Sequence, residues 1–343
     1  MRPVLVLLGL AAAATAAIMV AIAVGSATIP VPAIWSFLVS GDAGDPQSTI
    51  LLERIRMPRV MTAALAGAGL AVAGLLMQTL FANPLADPYI LGVSSGASLG
   101  VAVVTLGSGV ATTSFVGAVG AGRLGVVAAA GLGSAGVLVL IVLLGRWVRS
   151  IVTLLIMGVM LSSGIGALVS LFLAFADPAR LQRFIIWGFG SYAGVTRDDV
   201  VYLAAAIGLG LLGAALLTRS LNALLLGERY AQSLGVNVAL VRLGAVLVTS
   251  LVAGSVTAYC GPIAFLGIAI PHLARLVIGT SDHRILMPAA VLMGIAVSEA
   301  CSVLAQAPGA DAVLPLNVVS ALIGAPVVIA VLLRSRRLAA GAV

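Results

Sequence analysis

The sequence predicts an all-α, polytopic membrane protein with about ten transmembrane helices. Of its 343 residues, 62% are hydrophobic and only 8% are charged, a composition far outside that of soluble globular domains. Apolar segments of bilayer length follow one another along the chain. In lipid such segments have to be helical, because each backbone N–H and C=O needs a hydrogen-bond partner within the segment. We therefore predict one transmembrane domain over residues 1–343.

Ten apolar segments are predicted to span the membrane. They cover approximately residues 4–24, 60–81, 89–107, 124–145, 151–176, 200–217, 240–260, 262–278, 285–305 and 313–333. The first resembles a signal peptide, but it is longer than the usual apolar region of such peptides, so we predict a retained span. Residues 26–53 are predicted to be a polar excursion. Pro58 is predicted to lie in the first turn of the second span, where its missing N–H costs nothing. Residues 184–189 are too few to cross and are predicted to form an interfacial helix.

All 18 basic residues are arginine, and they are scattered between the apolar segments. A nucleic-acid-binding protein would cluster them on one face, so we predict no nucleic-acid partner. With ten spans, both termini lie on one side together with eleven arginines, and seven arginines lie on the other. The positive-inside rule therefore predicts that both termini are cytoplasmic. The same count places residues 218–242, the longest mixed-polarity segment on that side, in the cytoplasm.

The absence of lysine excludes two kinds of chemistry. A Walker A loop needs its lysine on the ATP phosphates, and Schiff-base catalysis needs a lysine amine. Cys260 and Cys301 lie in or beside apolar segments with no metal or redox spacing, which predicts two buried free thiols. We therefore predict no catalytic residue, cofactor or metal on this chain.

Several short motifs have both a structural and a functional interpretation. Residues 83–88, Asn-Pro-Leu-Ala-Asp-Pro, predict a turn in which Asn83 and Asp87 cap the neighbouring helix ends, or else the lining of a gate. Glycines at 92, 96 and 100 predict close helix packing. Residues 92–96 also fit the G-x-S-x-G nucleophile motif, which needs a preceding strand and a histidine base.

Three further features carry ionisable groups. Glu299 is the one such residue deep in a predicted span, and is interpreted as a hydrogen-bonded structural residue or as a coupling site. His272 and His283 are predicted to lie in cytoplasmic loop structure. Arg56 and Arg59, three residues apart, predict a cationic pair exposed at the outer surface for an acidic partner.

A weak internal repeat is also present. Four positions in the first half recur at one constant offset in the second, which would make an inverted repeat of the transporter kind. The matched residues are Gly67, Gly74, Pro84 and Gly92 with Gly254, Gly261, Pro271 and Gly279.

Taken together, these motifs resemble the FecCD-type permease subunits of ABC importers for iron siderophores, haem and cobalamin. The matching residues occur in family order from about residue 50 to 337. They are 56–59 (RMPR), 83–88 (NPLADP), 91–97 (LGVSSGA), 227–228 with 231 and 234–236 (GE, A, LGV), 261–263 (GPI), 271–272 with 275 (PH, R), 282–284 (DHR) and 322–326 (LIGAP).

The resemblance implies ten helices, a second permease subunit (a copy or a related chain), two cytoplasmic ATPases that hold ATP and Mg, and an extracytoplasmic substrate-binding protein. It also implies roles for particular residues. Arg56 and Arg59 would receive carboxylates of the binding protein. The ATPase would be contacted by Gly227, Glu228, Ala231, Leu234 and Gly235. The cytoplasmic gate would include Asn83, Leu85, Ser150 and Thr153. No arginine occurs over residues 301–311, where relatives can carry a third docking contact.

We therefore expect the membrane subunit of an ATP-driven importer in a bacterial cytoplasmic membrane, carrying an iron siderophore, with haem or cobalamin as alternatives. An ion-coupled secondary transporter that uses Glu299 is the alternative of another class. A membrane-embedded serine hydrolase at Ser94 is a more distant one.

Overall fold

The computed structural model describes residues 2–25, 27–107, 123–145, 147–148, 150–306 and 313–340. Over these ranges the chain is helical with connecting turns and contains no strand, which confirms the all-α prediction for the described part. In chain order the helices are α1 Arg2–Ala23, α2 Val31–Ser40, α3 Pro46–Leu51, α4 Met57–Leu80, α5 Val93–Leu106, α6 Arg123–Gly145, α7 Ile151–Ala174, α8 Pro178–Gly188, α9 Arg197–Leu224, α10 Glu228–Ser233, α11 Val238–Cys260, α12 Leu266–Ile278, α13 His283–Ala305 and α14 Leu316–Ala340.

The described helices include seven that are long and apolar enough to cross a membrane. Four shorter apolar helices accompany them, at Val31–Ser40, Val93–Leu106, Leu266–Ile278 and Leu316–Ala330. The chain is thus a multi-pass membrane protein. The total of ten spans, the internal repeat and the cytoplasmic termini stay predictions.

The second span begins earlier than the sequence predicts. Helix α3 starts at Pro46 after the N-cap Asp45, whose side chain accepts a hydrogen bond from the Ser48 N–H, and a π-helical turn over Leu52–Arg56 joins α3 to α4. Pro58 therefore lies inside a continuous apolar helix, not at its start. A π turn widens the backbone locally, which accommodates the hydrogen bond that proline cannot make.

Two short helices lie in the connections. The excursion over residues 26–53, predicted to be polar, contains α2, whose Trp35 side chain is 65% exposed. The proline near the start of α2 is typical of a first helical turn, and the sequence prediction did not take it into account. Helix α8 covers residues 184–188 of the predicted short helix and begins six residues earlier, at Pro178 after Asp177.

The described part forms two compact units, which we treat separately. The first comprises residues 1–75, 191–208 and 264–343, and the second residues 76–190 and 209–263. In the first unit, α4 contacts α13 so closely at Gly67 that an added Cβ would lie 2.2 Å from the carbonyl oxygen of Gly294. The Ser298 hydroxyl also donates to the carbonyl of Ala63 at 2.7 Å.

Glycines 96 and 100 bring α5 and α6 together in the second unit. A Cβ on Gly96 would lie 2.4 Å from the Gly133 carbonyl oxygen, and one on Gly100 would lie 1.9 Å from that of Ala129. Both distances are far below contact, so the two backbones touch directly. This confirms the predicted close packing. Gly92 differs from the other two, because it precedes α5 with φ +82°, a left-handed conformation that favours glycine.

Candidate functional site

The loop between the two long helices α9 and α11 is shorter than the predicted mixed-polarity segment 218–242. Helix α9 continues to Leu224 and α11 begins at Val238, so the connection between spans covers residues 225–237 and holds the six-residue helix α10. Asn237 begins α11, and its side chain accepts a hydrogen bond from the Leu240 N–H at 3.1 Å. The segment is therefore a short helix carried between the ends of two long ones.

Glycines bound α10 on both sides because its ends need backbone conformations that other residues avoid. Gly227 has φ +102° and ψ 151°, a region that is nearly restricted to glycine. Gly235 has φ +82°, its N–H donates to Gln232 O, and the Val236 N–H donates to Ala231 O. These two bonds form a Schellman motif, in which a left-handed glycine ends the helix. The sequence pattern around Gly227 and Gly235 thus encodes the shape of α10.

Large apolar side chains are exposed on α10 and on the residues beside its two ends. Leu226, Tyr230 and Leu234 are 65%, 52% and 58% exposed, while Ala231 is fully buried beneath them. Contiguous exposed apolar side chains on an otherwise polar segment mark a protein contact surface. We call Leu226, Tyr230 and Leu234 the α10 surface.

An ion pair ties α10 to α11. Arg242 Nη2 donates to Glu228 Oε1 at 2.9 Å, and the two side chains are 18% and 48% exposed. Glu228 is the first residue of α10, where a negative charge also interacts favourably with the helix dipole.

The predicted outer pair, Arg56 and Arg59, is not exposed. The two side chains are 2% and 4% exposed, and their guanidinium groups donate to backbone carbonyls at the end of α1. Arg56 donates to Ile22 O at 2.7 Å and to Ala23 O at 2.9 Å, as well as to Ala27 O. Arg59 donates at 2.9 Å to the carbonyls of residues 21 and 24.

The expectation of an exposed cationic pair is therefore wrong. The last carbonyls of a helix lack intrahelical partners and carry partial negative charge, so buried guanidinium groups satisfy them. The partner carbonyls lie 29 to 38 residues away in sequence, which is why spacing alone gave no signal. Arg54 is the exposed arginine of this motif.

Other arginines on the predicted outer side also have local partners. Arg180 pairs with Asp177 at 2.9 Å and donates to Gly107 O at 2.8 Å. Arg197 forms an ion pair with Glu53. These contacts give structural reasons for arginines that the positive-inside rule leaves unexplained.

The two predicted gate turns are formed by local hydrogen bonds. Asn83 Oδ1 accepts from the Leu85 N–H at 2.9 Å, and Asp87 Oδ1 accepts from the Tyr89 N–H at 2.7 Å, so the predicted turn is present. The prediction that these side chains cap helix ends is wrong, because both bonds lie within the turn and the N-cap of α5 is Gly92. Burial raises the pKa of Asp87 to about 6 although the Tyr89 N–H lowers it. In both Asx turns the next residue is proline, Pro84 after Asn83 and Pro88 after Asp87, a residue that favours turns.

The second gate turn begins α7. Ser150 is its N-cap, and the Ser150 hydroxyl accepts from the Thr153 N–H at 3.4 Å. Ser150 and Thr153 are exposed, whereas Asn83 and Leu85 are partly buried. The joint role of the two turns in a gate stays a prediction.

The remaining ionisable candidates are buried in helices. Glu299 in α13 is fully buried, neither of its carboxylate oxygens has a hydrogen-bond partner among the described residues, and the Arg59 guanidinium interacts with it electrostatically. His272 lies within α12 and His283 begins α13, and both are buried. The prediction of loop structure there is wrong, because Asp282 caps α13 and α12 continues through Pro271.

The structure also describes the two cysteines and Ser94, the residue of the serine-hydrolase alternative. Cys260 and Cys301 are free and buried, as predicted. Over the described ranges, no group of three or more histidine, cysteine or acidic side chains could hold a metal. Ser94 follows a turn instead of the strand that a nucleophile elbow requires, so the described geometry does not favour a hydrolase.

This architecture defines a multi-pass membrane protein with a helical contact element between two long helices. The sequence profile of the FecCD transport family matches residues 13–334. The chain is 38% identical over 330 residues to YvrB of Bacillus subtilis, described as an uncharacterised ABC transporter permease, covering 93% of this chain and 91% of that one. It is 36% identical over 301 residues to the vitamin B12 import system permease BtuC of Escherichia coli, covering 87% and 88%.

A solved structure has the same fold. An inward-facing conformation of a metal-chelate type ABC transporter superposes with a TM-score of 0.83 at 29% identity, covering 96% of this chain and 98% of that chain. The protein belongs to the FecCD transport family and is a permease subunit of an ABC importer. This membership implies partner ATPase subunits, and it confirms the resemblance that the motifs predicted.

Proposed function

We propose that this chain translocates a ferric siderophore across the bacterial cytoplasmic membrane, using ATP hydrolysed by two separate subunits. Support for a chelate cargo comes from the metal-chelate type transporter that shares its fold. BtuC, at 36% identity, is a vitamin B12 permease, so cobalamin is the competing cargo, and haem is a further alternative. The chain pairs with a second permease subunit and receives its cargo from an extracytoplasmic binding protein.

The α10 surface is the observation that supports ATPase contact. Three large apolar side chains stand exposed, Tyr230 on α10 and Leu226 and Leu234 beside its two ends, which are shaped by glycines. In the cytoplasm, where the arginine distribution predicts this segment, an ATPase subunit would cover them. ATP binding and hydrolysis would then move α10 as a lever and reach the gate turns at Asn83, Leu85, Ser150 and Thr153.

Replacing Leu234 by aspartate tests this contact. A charge in a fully desolvated apolar interface is costly, so we expect ATPase subunits to co-purify poorly with the variant. The control is Leu234→Met, which keeps an apolar side chain of similar volume at the same position and should recover ATPase subunits as the wild type does. Equal ATPase recovery with Leu234→Asp and wild type would refute the assignment of α10.

The identity of the cargo is tested separately, by asking which ligand the binding protein retains. Purified binding protein that retains a ferric siderophore, and delivers it for uptake, would support the proposed cargo. Retention of cobalamin or haem with no binding of ferric siderophore would overturn it while leaving the ATP-driven mechanism intact.

Docking of the binding protein is proposed to use Arg54. This side chain is exposed, whereas Arg56 and Arg59 hold the end of α1 beneath it. Arg54→Glu should weaken association at low salt, because exposed charges attract over a distance set by ionic strength. Arg183→Glu, which changes another arginine on the predicted outer side, serves as the control. Unchanged affinity of Arg54→Glu at low salt would refute the contact.

A further inference from the structure

A cavity lies beside α10 in the second unit. Its volume is about 490 Å³, and α6, α7, α10 and α11 contribute to its walls. Helix α10 supplies Glu228 and Gln232, and α11 supplies Arg242 among others. The rest of the wall is mainly apolar. One side of α10 therefore faces open space instead of packed side chains, and packing on that side contributes little to its position.

The connections of α10 to the chain are also permissive. Gly227 and Gly235 adopt left-handed conformations, and an added Cβ at either would meet nothing within 4 Å. Ala231 is the buried residue of the helix, but a methyl group offers a small contact. The Schellman bonds shape the turn at Gly235, but neither they nor the Ala231 methyl group ties the first residue of α10 to α11.

The Glu228–Arg242 ion pair supplies the missing constraint. Glu228 stands at the first residue of α10, and Arg242 stands on the 23-residue helix α11, at the edge of the same cavity. The charged atoms are 2.9 Å apart, with Arg242 mostly buried and Glu228 about half exposed. A pair that is partly open to water can break and form again, unlike a fully buried one.

We propose that Glu228 and Arg242 are positioning residues: their ion pair sets the orientation of α10 on α11, and through it the coupling of ATP hydrolysis to transport. The inference rests on the proposed contact between α10 and an ATPase subunit. In this arrangement the ion pair transmits movement of the ATPase subunit into the long apolar helix α11. Glu228 and Arg242 act through α10 and touch no cargo.

The orientation of α10 can be measured on the full chain in nanodiscs, without cargo or ATPase. A spin label is attached through Ser233→Cys, an exposed site, since the native cysteines are buried. We expect Glu228→Arg and Arg242→Glu each to increase label mobility, and the charge-swapped double variant to restore it. Arg229→Gln, an exposed arginine on the same helix, is the control and should change nothing. Equal mobility in wild type and all variants would overturn the proposal.

Coupling is measured on the complex with its ATPase and binding protein, as ferric siderophore transported per ATP hydrolysed. Each single variant should lower this ratio by roughly fivefold, the effect of losing one ion pair of ordinary strength, and the swap should recover most of it. Folding is monitored by size-exclusion chromatography, so that loss of protein is not counted as loss of coupling. Folded single variants with a wild-type ratio, or a swap that fails to recover it, would contradict the inference. Failure of wild-type chain to bind ATPase subunits would instead contradict the proposed function.

Discussion

The direct contact between α5 and α6 makes a quantitative prediction for Gly100→Ala. The added Cβ would lie 1.9 Å from the Ala129 carbonyl oxygen, whereas ordinary contact begins at 3.4 Å. The obstacle is backbone, which cannot rotate away, so the helices must separate by about 1.5 Å at this point. Separation loosens the buried cluster that includes Ala97, Val101 and Ala130. Overpacking of this kind typically costs about 1–3 kcal/mol.

A matched control lies on α6 itself. Gly136 is exposed and an added Cβ there meets nothing within 4 Å, so Gly136→Ala should gain up to about 1 kcal/mol from helix propensity. We expect Gly100→Ala to melt a few degrees below wild type in detergent and Gly136→Ala to melt at or slightly above it. The assay is thermal unfolding followed by size-exclusion chromatography. Equal melting temperatures for the two variants would refute the close-contact reasoning.

Three further predictions concern other contacts. Arg56→Ala should lower the melting temperature by more than Arg54→Ala, because it removes bonds to the carbonyls that end α1; equal losses would contradict the capping role. Tyr192→Phe should cost about 1 kcal/mol, since it removes the hydrogen bond to Ser298 at 2.7 Å, and an unchanged melting temperature would speak against that bond. For Asp87, the folded-state pKa of about 6 exceeds the ordinary pKa of an aspartate, so the folded chain binds the proton more tightly and wild-type stability should fall as pH rises from the ordinary value to about 6. Asp87→Asn should remove this fall in a pH series of melting curves, and a fall of the same size in the variant would exclude Asp87 as its cause.

Local patterns predicted the parts of the structure that depend on near neighbours in sequence. The length of the apolar segments predicted the long helices, and the spacing of Gly96 and Gly100 predicted the close contact of α5 with α6. Asn83 and Asp87 predicted the turns. In each case the physical cause acts within a few residues, or along one helix face.

Contacts between distant segments were not predictable in this way. Arg56 and Arg59 look like interfacial cations in sequence, because nothing nearby shows that carbonyls at the end of α1 will accept their hydrogen bonds. The sequence prediction missed the start of α3 at Pro46 because the residues there are polar. Hydropathy alone does not indicate a helix that begins ahead of its apolar segment. The ion pair of Glu228 with Arg242 depends on the angle between α10 and α11, which is a property of the fold.

ATP-driven import by this permease is tested most directly by uptake into proteoliposomes that contain the permease, its ATPase subunits and its binding protein. With a ferric siderophore as cargo, we predict uptake that requires ATP and stops when the ATPase Walker A lysine is replaced. Replacing Glu299 by glutamine should leave this ATP dependence in place. Uptake by the permease alone, driven by a proton or sodium gradient and abolished by Glu299→Gln, would contradict the account.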